Sequence, residues 1–565
     1  MQALRIVLLS TAFNGLTQRA WLDLRESGHH PSVVLFTDAD EVAKQVVAAR
    51  PQLVICPFLK DRVPEALWCG SGFPVVIVHP GIVGDRGASA LDWAIMDGET
   101  RWGVTALQAV AEMDAGPVWS SREFELPPGI RKSELYNGPV SDAAIFCIRD
   151  VVEKFVAGFR PQPVDYADPQ VRGRLRPNLK QADRAFDWRE PAAAIKRRID
   201  AADGQPGVLA ELAGGRYFVY DAHLDHRAGE PGRILAVHDD AVLVACGEAS
   251  LWLGALRRQP APGEETFKRP ARHELGRLLD DAPRLEWAVD SHPHCEESYQ
   301  PIRYRQVGQV GELTFEFYNG AFSTEQCQRL TRALQWAKRQ DTRTLLIRSG
   351  RGSFCNGVHL NVIQAAEHPG EEAWRNIQAI DDVCLEILTA PQLTVAGIAG
   401  NAGAGGVMLG LAADVALARQ GVVLNPHYQT MGLYGSEYWT YTLPRAVGGE
   451  TAARLWKDCL PIGARQAWRL GMLQDIGPRD PQAFSRWLLS EAAGAARRWP
   501  ELARRKEALD VSRLAQCRRT ELEEMRQDMR ENRNQFAERC QGFVLKRRAC
   551  RTPERLIEDW ARGDG

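Results

Sequence analysis

Two stretches of this sequence bring together residues that could carry chemistry. The first, 79–119, starts with His79 directly after an apolar run and includes Asp114 in an Asp-Ala-Gly turn. An imidazole there could take a proton from an attacking nucleophile, and the carboxylate could orient that imidazole. The second stretch consists of 350–360 and 396–414, whose Gly-rich turns could expose backbone N–H groups to the oxygen of a thioester. The two stretches therefore predict two separate sites for acyl-group chemistry.

Short apolar, β-branched runs alternate with helix-like segments before the first stretch. This alternation predicts a parallel, doubly wound α/β sheet, in which ligands bind beyond the carboxyl ends of the strands. His79 follows the fourth run and is therefore expected at that edge. The predicted strands are 4–9, 32–37, 52–56 and 74–78, with helices such as 16–28 and 39–49 between them.

The pattern changes after a Pro- and Arg-rich passage at 159–180. A small, mostly β region and then a second α/β region are expected, followed by a helical tail from about residue 481. The predicted elements are a helix at 190–202, strands at 216–221, 232–237, 241–246, 250–256, 310–317 and 343–348, and a helix at 323–340.

Composition excludes several classes of protein. The chain of 565 residues is 45% hydrophobic and 25% charged, as in ordinary globular proteins, and its net charge of −2 gives no reason to expect a nucleic-acid partner. The opening residues predict a strand rather than a signal peptide, and no run approaches the about 18 apolar residues of a membrane span. We therefore expect a cytoplasmic protein that does not bind membranes.

The twelve cysteines are scattered without a CxxC pair, which indicates free thiols. His292, His294 and Cys295 could ligate zinc, but a second ligand pair at zinc-finger spacing is missing. No metal site is therefore predicted.

The string HPGIVGDRG, followed by WAI, GVT and MDAGPV, resembles the folate-dependent formyltransferases. Segments 174–188 and 231–237 are similar to the C-terminal barrel of that family. The resemblance implies that His79 and Asp114 are catalytic and that 10-formyltetrahydrofolate is the formyl donor. It also implies a folate pocket built by the loops 57–64 and 81–87, with contributions from Pro57, Phe58, Leu59, Gly81, Asp85, Arg86 and Gly87.

The chain departs from the formyltransferases at Ile77, where that family usually has asparagine. Such an amide would bind the formyl oxygen as it becomes negative, and losing it costs on the order of 3 kcal/mol if nothing replaces it. Three explanations remain open: the site is inactive, another donor serves, or the acceptor is a better nucleophile than an amine. A thiolate would satisfy the third.

The strings FCNGVHL and AGIAGNAGAGGVMLGLAAD resemble the crotonase, or enoyl-CoA hydratase/isomerase, superfamily over about 301–555. The resemblance implies coenzyme A as cofactor and an oxyanion site made by the N–H groups of Val358 and Gly405, with Gly357 beside them. Hydratases of this superfamily place glutamates where Met408 and Tyr428 stand here. The usual activation of water is therefore not expected.

The segment 425–444, which includes the second of these two positions, contains several polar aromatic residues and one acidic residue. The candidate proton-handling groups there are Tyr428, Tyr434, Glu437 and Tyr438. Lys546 and Arg547 correspond to a basic C-terminal helix of the superfamily, and they are candidates for binding the phosphates of coenzyme A.

The pairing of the two sites, with NPHY and GLYGSEYWTY in the second, resembles hydrogenase maturation proteins of the HypX/HoxX type over the whole chain. The resemblance implies formyl transfer from 10-formyltetrahydrofolate to coenzyme A, then decarbonylation of formyl-CoA to carbon monoxide (CO) for a nickel–iron hydrogenase. Candidate partners are hydrogenase maturation proteins.

The predicted fold is α/β throughout, with a small barrel-like insert. The predicted domains are a doubly wound formyltransferase domain at 1–160, a β-barrel-like domain at 161–275, a linker at 276–300, a crotonase-like α/β core at 301–480 and a helical region at 481–565.

Two other functions remain open. An amine formyltransferase fused to an acyl-CoA hydratase or isomerase would need an oxyanion donor near His79 and an acid near Met408, and the sequence offers neither. A non-catalytic scaffold with two decayed sites would not need His79, Asp114 and both Gly-rich turns to be intact.

Overall fold

The chain forms two compact units. The computed structural model describes residues 3–291, 299–502 and 509–561. The first unit consists of the residues up to Ala210, Phe218–Tyr220 and the chain from Arg548, and the second consists of Glu211–Tyr217 and Asp221–Arg547.

A six-stranded sheet forms the centre of the first unit, with β1 (Arg5–Ser10), β2 (His30–Leu35), β3 (Leu53–Phe58), β4 (Val75–His79), β5 (Arg101–Gln108) and β6 (Val118–Glu125). The strand order is β2-β1-β3-β4-β5-β6. The pairs among β1 to β4 are parallel, as predicted, but β5 and β6 are antiparallel to their neighbours. The connection 109–117 is too short for a helical crossover of about 10–12 residues or more, so β6 returns antiparallel to β5.

Helices cover this sheet. They are α1 (Gly15–Glu26), α2 (Ala39–Ala49), α3 (Glu65–Trp68), α4 (Ala90–Met96), α5 (Lys132–Leu135), α6 (Ser141–Val156) and α7 (Ala192–Ala201). The Asn14 side chain caps α1 by accepting from the Thr17 N–H, and the Asp38 side chain caps α2. The predicted helices 16–28 and 39–49 are thereby confirmed.

The last described residues return to the first unit. The Thr552 hydroxyl accepts a hydrogen bond of 2.9 Å from the Leu35 N–H in the edge strand β2, and the Ser32 hydroxyl accepts one of 3.1 Å from the Glu558 N–H. The Trp560 ring packs against the apolar cluster under β1 and β3. This tail therefore covers part of an edge that would otherwise offer unpaired backbone groups.

A second sheet follows between residues 208 and 270, with β7 (Val208–Leu212), β8 (Gly215–Asp225), β9 (Ile234–His238), β10 (Ala241–Ala245), β11 (Ser250–Arg258) and β12 (Arg269–Pro270). Its order is β7-β8-β11-β10-β9, with β12 paired to β11, and the pairings of β10 with β9 and β11 are antiparallel. The predicted mostly β region is thus confirmed, and α8 (Ala271–Leu275) follows it.

A second α/β layer contains β13 (Ile302–Val307), β14 (Val310–Phe315), β15 (Thr344–Ser349), β16 (Leu393–Ile398), β17 (Ala402–Gly403), β18 (Val415–Arg419), β19 (Val423–Asn425), β20 (Ile462–Gly463) and β21 (Asp475–Gly477). Six of these strands form a sheet in the order β13-β14-β15-β16-β18-β21, and β17, β19 and β20 form a small separate sheet. The β13–β14 pair is antiparallel, and the pairs from β14 to β21 are parallel.

Ten helices of the described chain belong to this α/β layer and its tail, and they are α9 (Thr324–Ala337), α10 (Leu360–Ala365), α11 (Pro369–Leu388), α12 (Gly405–Leu411), α13 (Trp439–Val447), α14 (Gly449–Asp458), α15 (Ala464–Arg469), α16 (Pro481–Arg498), α17 (Val511–Met529) and α18 (Phe536–Val544). The helical tail after residue 481 agrees with the prediction. Most of the buried apolar side chains here form one cluster, which includes Phe315, Ile380 and Met525.

None of the helices in the described ranges is long and apolar enough to cross a membrane. The zinc candidates His292, His294 and Cys295 lie outside the described residues.

Candidate active sites

The carboxyl ends of β3 and β4 place the first candidate site at one edge of the sheet. These strands are parallel neighbours, and the pairing of Cys56 with Ile77 puts Phe58 beside His79 when the register is continued. Pro57 and Phe58, predicted to lie in a folate-binding loop, are the last residues of β3, and Leu59 follows them. The fold therefore brings the predicted folate residues and His79 to the same edge.

The His79 imidazole lies between two carboxylates. Its Nε2 is 2.9 Å from Asp85 Oδ2, a hydrogen-bond distance, and its Nδ1 is 3.5 Å from Asp114 Oδ2. His79 and Asp85 are both buried. Asp114 has a φ of 54°, a left-handed conformation that turns its side chain back toward the strand end. The predicted pair His79 and Asp114 is thus brought together, and Asp85 joins it.

The backbone after His79 is held by side chains of β5. The Thr105 hydroxyl donates a hydrogen bond of 2.8 Å to the Gly81 carbonyl, and the Trp102 indole donates one of 2.9 Å to the Pro80 carbonyl. The Gly87 N–H donates to Asp114 at 3.3 Å. The loop 81–87 is therefore fixed at both of its ends.

A later segment of the chain lies along this loop. The Arg86 N–H donates to the Arg174 carbonyl at 3.2 Å, and the Arg176 N–H donates to the Arg86 carbonyl at 3.0 Å. Gly173 approaches so closely that a Cβ on it would overlap the Asp85 backbone. Asp85 is consequently buried beneath this later segment.

The other predicted folate residues lie around aromatic rings. The Phe58 ring meets the Tyr136 ring edge to face, with 5.9 Å between centroids, and Lys60 Nζ lies 5.5 Å from the Phe58 centroid. The Arg86 guanidinium lies 4.6 Å from the Tyr166 ring centroid and pairs with Glu112. Flat rings of this kind are suited to stacking against a pterin.

Ile77 takes the place of the formyltransferase asparagine. It lies two residues before His79 in β4, so both side chains point to the same face of the sheet. It packs against the apolar cluster that includes Val54 and Leu67. The isoleucine side chain has no hydrogen-bond donor, so it cannot bind the formyl oxygen as the asparagine of the formyltransferases would.

Two Gly-rich turns face each other at the second candidate site. Single β-bridges join Cys355 to Ala402 and Phe322 to Val358. A Cβ built on Gly357 would lie 3.6 Å from the Gly405 nitrogen. Within the described residues, neither the Val358 N–H nor the Gly405 N–H donates to a protein acceptor. Both N–H groups are thus available to a carbonyl oxygen.

The Glu437 carboxylate lies directly against Gly405. A Cβ on that glycine would overlap Glu437 Oε1, so only glycine leaves room for the carboxylate there. Glu437 Oε2 accepts hydrogen bonds from the Tyr428 hydroxyl at 2.8 Å and from the Ser436 N–H at 3.2 Å. The structure therefore joins Tyr428, Glu437 and the N–H of Gly405 in one buried site.

Buried carboxylates on two helices hold the loop that carries Glu437. Asp381 of α11 accepts from the Ser436 hydroxyl at 2.5 Å and from the Glu437 N–H at 2.8 Å. Glu521 of α17 accepts from the Tyr438 N–H at 2.9 Å and from the Thr440 N–H at 2.8 Å. These bonds hold Glu437 and Tyr438 at φ values of 58° and 60°, which residues other than glycine rarely adopt.

Burial changes the protonation of these acids. Desolvation, reinforced by the Asp381 carboxylate, raises the pKa of Glu437 to about 8. Desolvation likewise raises the pKa of Glu521 to about 8 and that of Asp381 to about 6. Glu437 therefore titrates close to neutrality, as a group that exchanges protons with a substrate should.

The raised pKa of Glu437 predicts how stability depends on pH. The unfolded side chain ionises near its ordinary pKa of 4.5 and the folded one near 8, so the folded state binds more protons between these values. Stability from this group is therefore lost as the pH rises from about 4.5 to about 8. We expect Glu437→Gln to unfold at higher denaturant concentration than the wild type at about pH 9, and to lose most of that advantage at about pH 5. An advantage of equal size at both pH values would contradict the raised pKa.

The contacts of the other predicted residues are with other neighbours. The Tyr434 ring packs between Trp439 and Trp456, with centroid distances of 5.4 and 5.5 Å, and lines a notch of about 300 Å³. Lys546 Nζ lies 4.3 Å from the Phe543 ring centroid, and Arg547 is 3.6 Å from Glu265. Burial raises the pKa of Tyr434, which makes its phenol a poorer proton donor.

Asp381 and Glu521 were not found by sequence reasoning. They precede and follow Glu437 by dozens of residues and belong to amphipathic helices in which an acid usually faces solvent. No local motif marks them. Only the packing of α11 and α17 against the Glu437 loop identifies them.

Comparisons with known proteins agree with this geometry. Residues 178–270 match the family model of the formyl transferase C-terminal domain, and residues 309–549 match that of the enoyl-CoA hydratase/isomerase family. The methionyl-tRNA formyltransferase of Trichlorobacter lovleyi is 28% identical over 242 residues, which cover 42% of this chain and 75% of that protein.

Relatives that extend over both candidate sites are also found. The hydrogenase maturation factor HoxX of Bradyrhizobium diazoefficiens is 42% identical over 498 residues, which cover 87% of this chain and 85% of that protein. The crystal structure of HypX from Aquifex aeolicus in complex with tetrahydrofolic acid superposes with a TM-score of 0.93 at 35% identity, covering 98% of each chain.

Proposed function

Because the chain belongs to the family of the hydrogenase maturation factors HoxX and HypX, we propose that it makes carbon monoxide in two steps. A formyl group passes from 10-formyltetrahydrofolate to the thiol of coenzyme A, and formyl-CoA is then split into CO and coenzyme A. The formyltransferase and crotonase-like domains supply one site for each step. The CO would serve as a ligand for a nickel–iron hydrogenase centre.

In the first step His79 takes the thiol proton and Asp114 stabilises the resulting imidazolium. The thiolate attacks the formyl carbon of the folate, the C–N10 bond breaks, and N10 receives the proton from His79. The products are formyl-CoA and tetrahydrofolate, with no net change in protons. The distance of 3.5 Å between His79 Nδ1 and Asp114 Oδ2 supports these roles.

The apolar Ile77 fits a thiol acceptor. Without an amide at this position, the formyl oxygen receives less stabilisation as it becomes negative. A thiolate is an intrinsically stronger nucleophile than an amine and needs less help. The loss of the asparagine is therefore consistent with a change of acceptor rather than with a dead site, because His79 and its carboxylates are in place.

In the second step the N–H groups of Val358 and Gly405 bind the formyl oxygen. They draw electrons from the formyl carbon, so its proton becomes more acidic. Glu437 removes that proton as the C–S bond breaks; the C–H electron pair stays on carbon and the C–S pair leaves with sulfur. The thiolate then takes the proton back, and Tyr428 holds the carboxylate in place through its hydrogen bond of 2.8 Å.

Lys546 and Arg547 are the candidate cations for the phosphates of coenzyme A. Both carry their charge near the end of the C-terminal helical region, after α18. Their role is a proposal from the crotonase resemblance, and phosphate binding by such groups weakens with added salt.

The observation that carries the second step is the Glu437 carboxylate lying against Gly405, while Met408 and Tyr428 occupy the positions of the hydratase acids. The test incubates the purified protein with 10-formyltetrahydrofolate and coenzyme A, and detects CO by the spectrum of a reduced haem protein. CO should form only when both substrates are present. Formation of formate without CO, or formylation of an added amine, would support one of the other functions instead.

The pKa of Glu437 sets the expected pH dependence of the second step. The base must be ionised to act, so CO release from supplied formyl-CoA should rise with pH and reach half its maximum near pH 8. Asp381→Asn removes a carboxylate that raises this pKa, so its midpoint should move to lower pH. A rate that stays flat between about pH 6 and about pH 9 would exclude Glu437 as the base.

A further inference from the structure

His79 has a second carboxylate partner, which the first step as described above does not use. Asp85 Oδ2 lies 2.9 Å from His79 Nε2, whereas Asp114 lies 3.5 Å from Nδ1. Asp85 was expected to help build the folate pocket. It is instead 2% exposed and makes the shorter of the two contacts with the imidazole.

The backbone is shaped around this contact. A Cβ on Gly81 would collide with both His79 Nε2 and Asp85 Oδ2, so only glycine leaves the space in which they meet. Gly173 packs on the Asp85 backbone from the other side. Two tight approaches of glycine backbone therefore fix the Asp85–His79 pair.

The second oxygen of Asp85 faces a cation. Asp85 Oδ1 is buried without a hydrogen-bond partner, and Arg176 Nε, which likewise has none within the described residues, lies 3.9 Å from it. The Nη1 atom of the same guanidinium pairs with Asp97. The guanidinium favours an oxygen at this position. Asp85 is thus oriented with one oxygen toward Arg176 and the other toward His79.

We propose that Asp85 is a positioning residue for formyl transfer: it holds the His79 proton on Nε2, so that Nδ1 is the nitrogen that exchanges the thiol proton. The inference rests on the proposed role of His79. A carboxylate is only an acceptor, so Nε2 must carry a proton to bond with it, and neutral imidazole then has its lone pair on Nδ1.

This tautomer makes the first step directional. The thiol proton moves to Nδ1, the side of the ring that faces Asp114, and the imidazolium then lies between two carboxylates. When the C–N10 bond breaks, the same nitrogen returns the proton to the folate. Asp85 exchanges no proton with substrate, and its hydrogen bond to Nε2 is kept throughout.

The decisive variant is Asp85→Asn. Arg176 should hold the amide oxygen, which turns the amide N–H groups toward Nε2 and forces the imidazole proton onto Nδ1. We expect kcat for formyl-CoA formation to fall by about 100-fold or more, with KM for folate and coenzyme A changed by less than about threefold.

A second variant disturbs the contact without removing either side chain. Gly81→Ala should separate Asp85 from His79 and lower kcat in the same direction. Glu153→Gln is the matched control, because Glu153 is an exposed carboxylate on α6 of the same unit and belongs to neither candidate site. It should leave kcat and KM unchanged.

Nitrogen NMR of histidine-labelled protein tests the inference without any activity. The His79 signals, identified by their loss in His79→Gln, should show the proton on Nε2 in the wild type and on Nδ1 in Asp85→Asn. If the wild type has its proton on Nδ1, or if Asp85→Asn retains kcat within about threefold, Asp85 is not a positioning residue. If the tautomer is as expected but no formyl-CoA forms, the proposed function fails and the positioning of His79 stands.

Discussion

Glu437→Gln is expected to stop the release of CO while formyl-CoA accumulates. The amide keeps the size and the burial of the side chain, but it cannot accept the formyl proton. Removal of a general base of this kind typically costs about 10²- to 10⁴-fold in rate. Because the proposed first step takes place at His79, formyl transfer should continue at close to the wild-type rate. The measurement is CO by haem-protein absorbance and formyl-CoA by chromatography of the same quenched sample.

The matched control is Glu450→Gln, which changes an exposed glutamate in the first turn of α14. It should release CO at the wild-type rate. CO release by Glu437→Gln within about threefold of the wild type would assign the base to another residue, with Tyr428 as the nearest alternative. Loss of formyl transfer as well would indicate a disturbed fold rather than a lost base.

His79→Gln should show the opposite pattern. Glutamine cannot take the thiol proton, so formyl-CoA formation should fall by about 10²- to 10⁴-fold. CO production from both substrates should fall equally, because the second site receives nothing to split. When formyl-CoA is supplied directly, the variant should release CO at the wild-type rate.

His30→Gln serves as the control, since His30 is exposed at the start of β2 in the same unit. It should leave both steps unchanged. If His79→Gln still forms formyl-CoA at the wild-type rate, the first step does not use this imidazole. Glu437→Gln and His79→Gln should therefore block different steps of the reaction. A non-catalytic scaffold with decayed sites would show neither effect.

The strands of the first sheet could be predicted where they are buried on both faces. The runs at 4–9 and 52–56 are continuous apolar, β-branched segments, and the structure has β1 and β3 there. β5 and β6 were missed. β6 is rich in polar residues, several of which are exposed. β5 is largely buried, but it begins with the exposed Arg101 and contains the buried polar residue Thr105. Sequence periodicity identifies buried parallel strands more readily than strands at the side of a sheet.

The residues of the first site could be predicted, but their partners could not. The spacing between His79 and Asp114 belongs to a long motif, and the structure confirms that the two residues are close. Asp85 is in the same motif, yet its side chain could point to folate or to His79. The outcome depends on Gly81 and on the distant Gly173, which pack around it only in the folded chain.

At the second site the candidate residues could not be ranked from the sequence. Tyr434 and Glu437 are three residues apart in a segment rich in polar aromatics, and either could have faced the Gly-rich turns. The left-handed backbone at Glu437 decides this, and it is imposed by Asp381 and Glu521 from remote helices. Local propensity alone disfavours such a conformation.

The return of the chain end to the first unit has a consequence for how the protein is made. β2 and the apolar cluster near Trp560 receive their cover only after residues 552–561 have been synthesised. The first unit is therefore left with an uncovered flank until those residues have been translated. We expect a chain truncated before residue 552 to aggregate more readily than the longer chain, because the edge strand β2 then offers unpaired backbone groups.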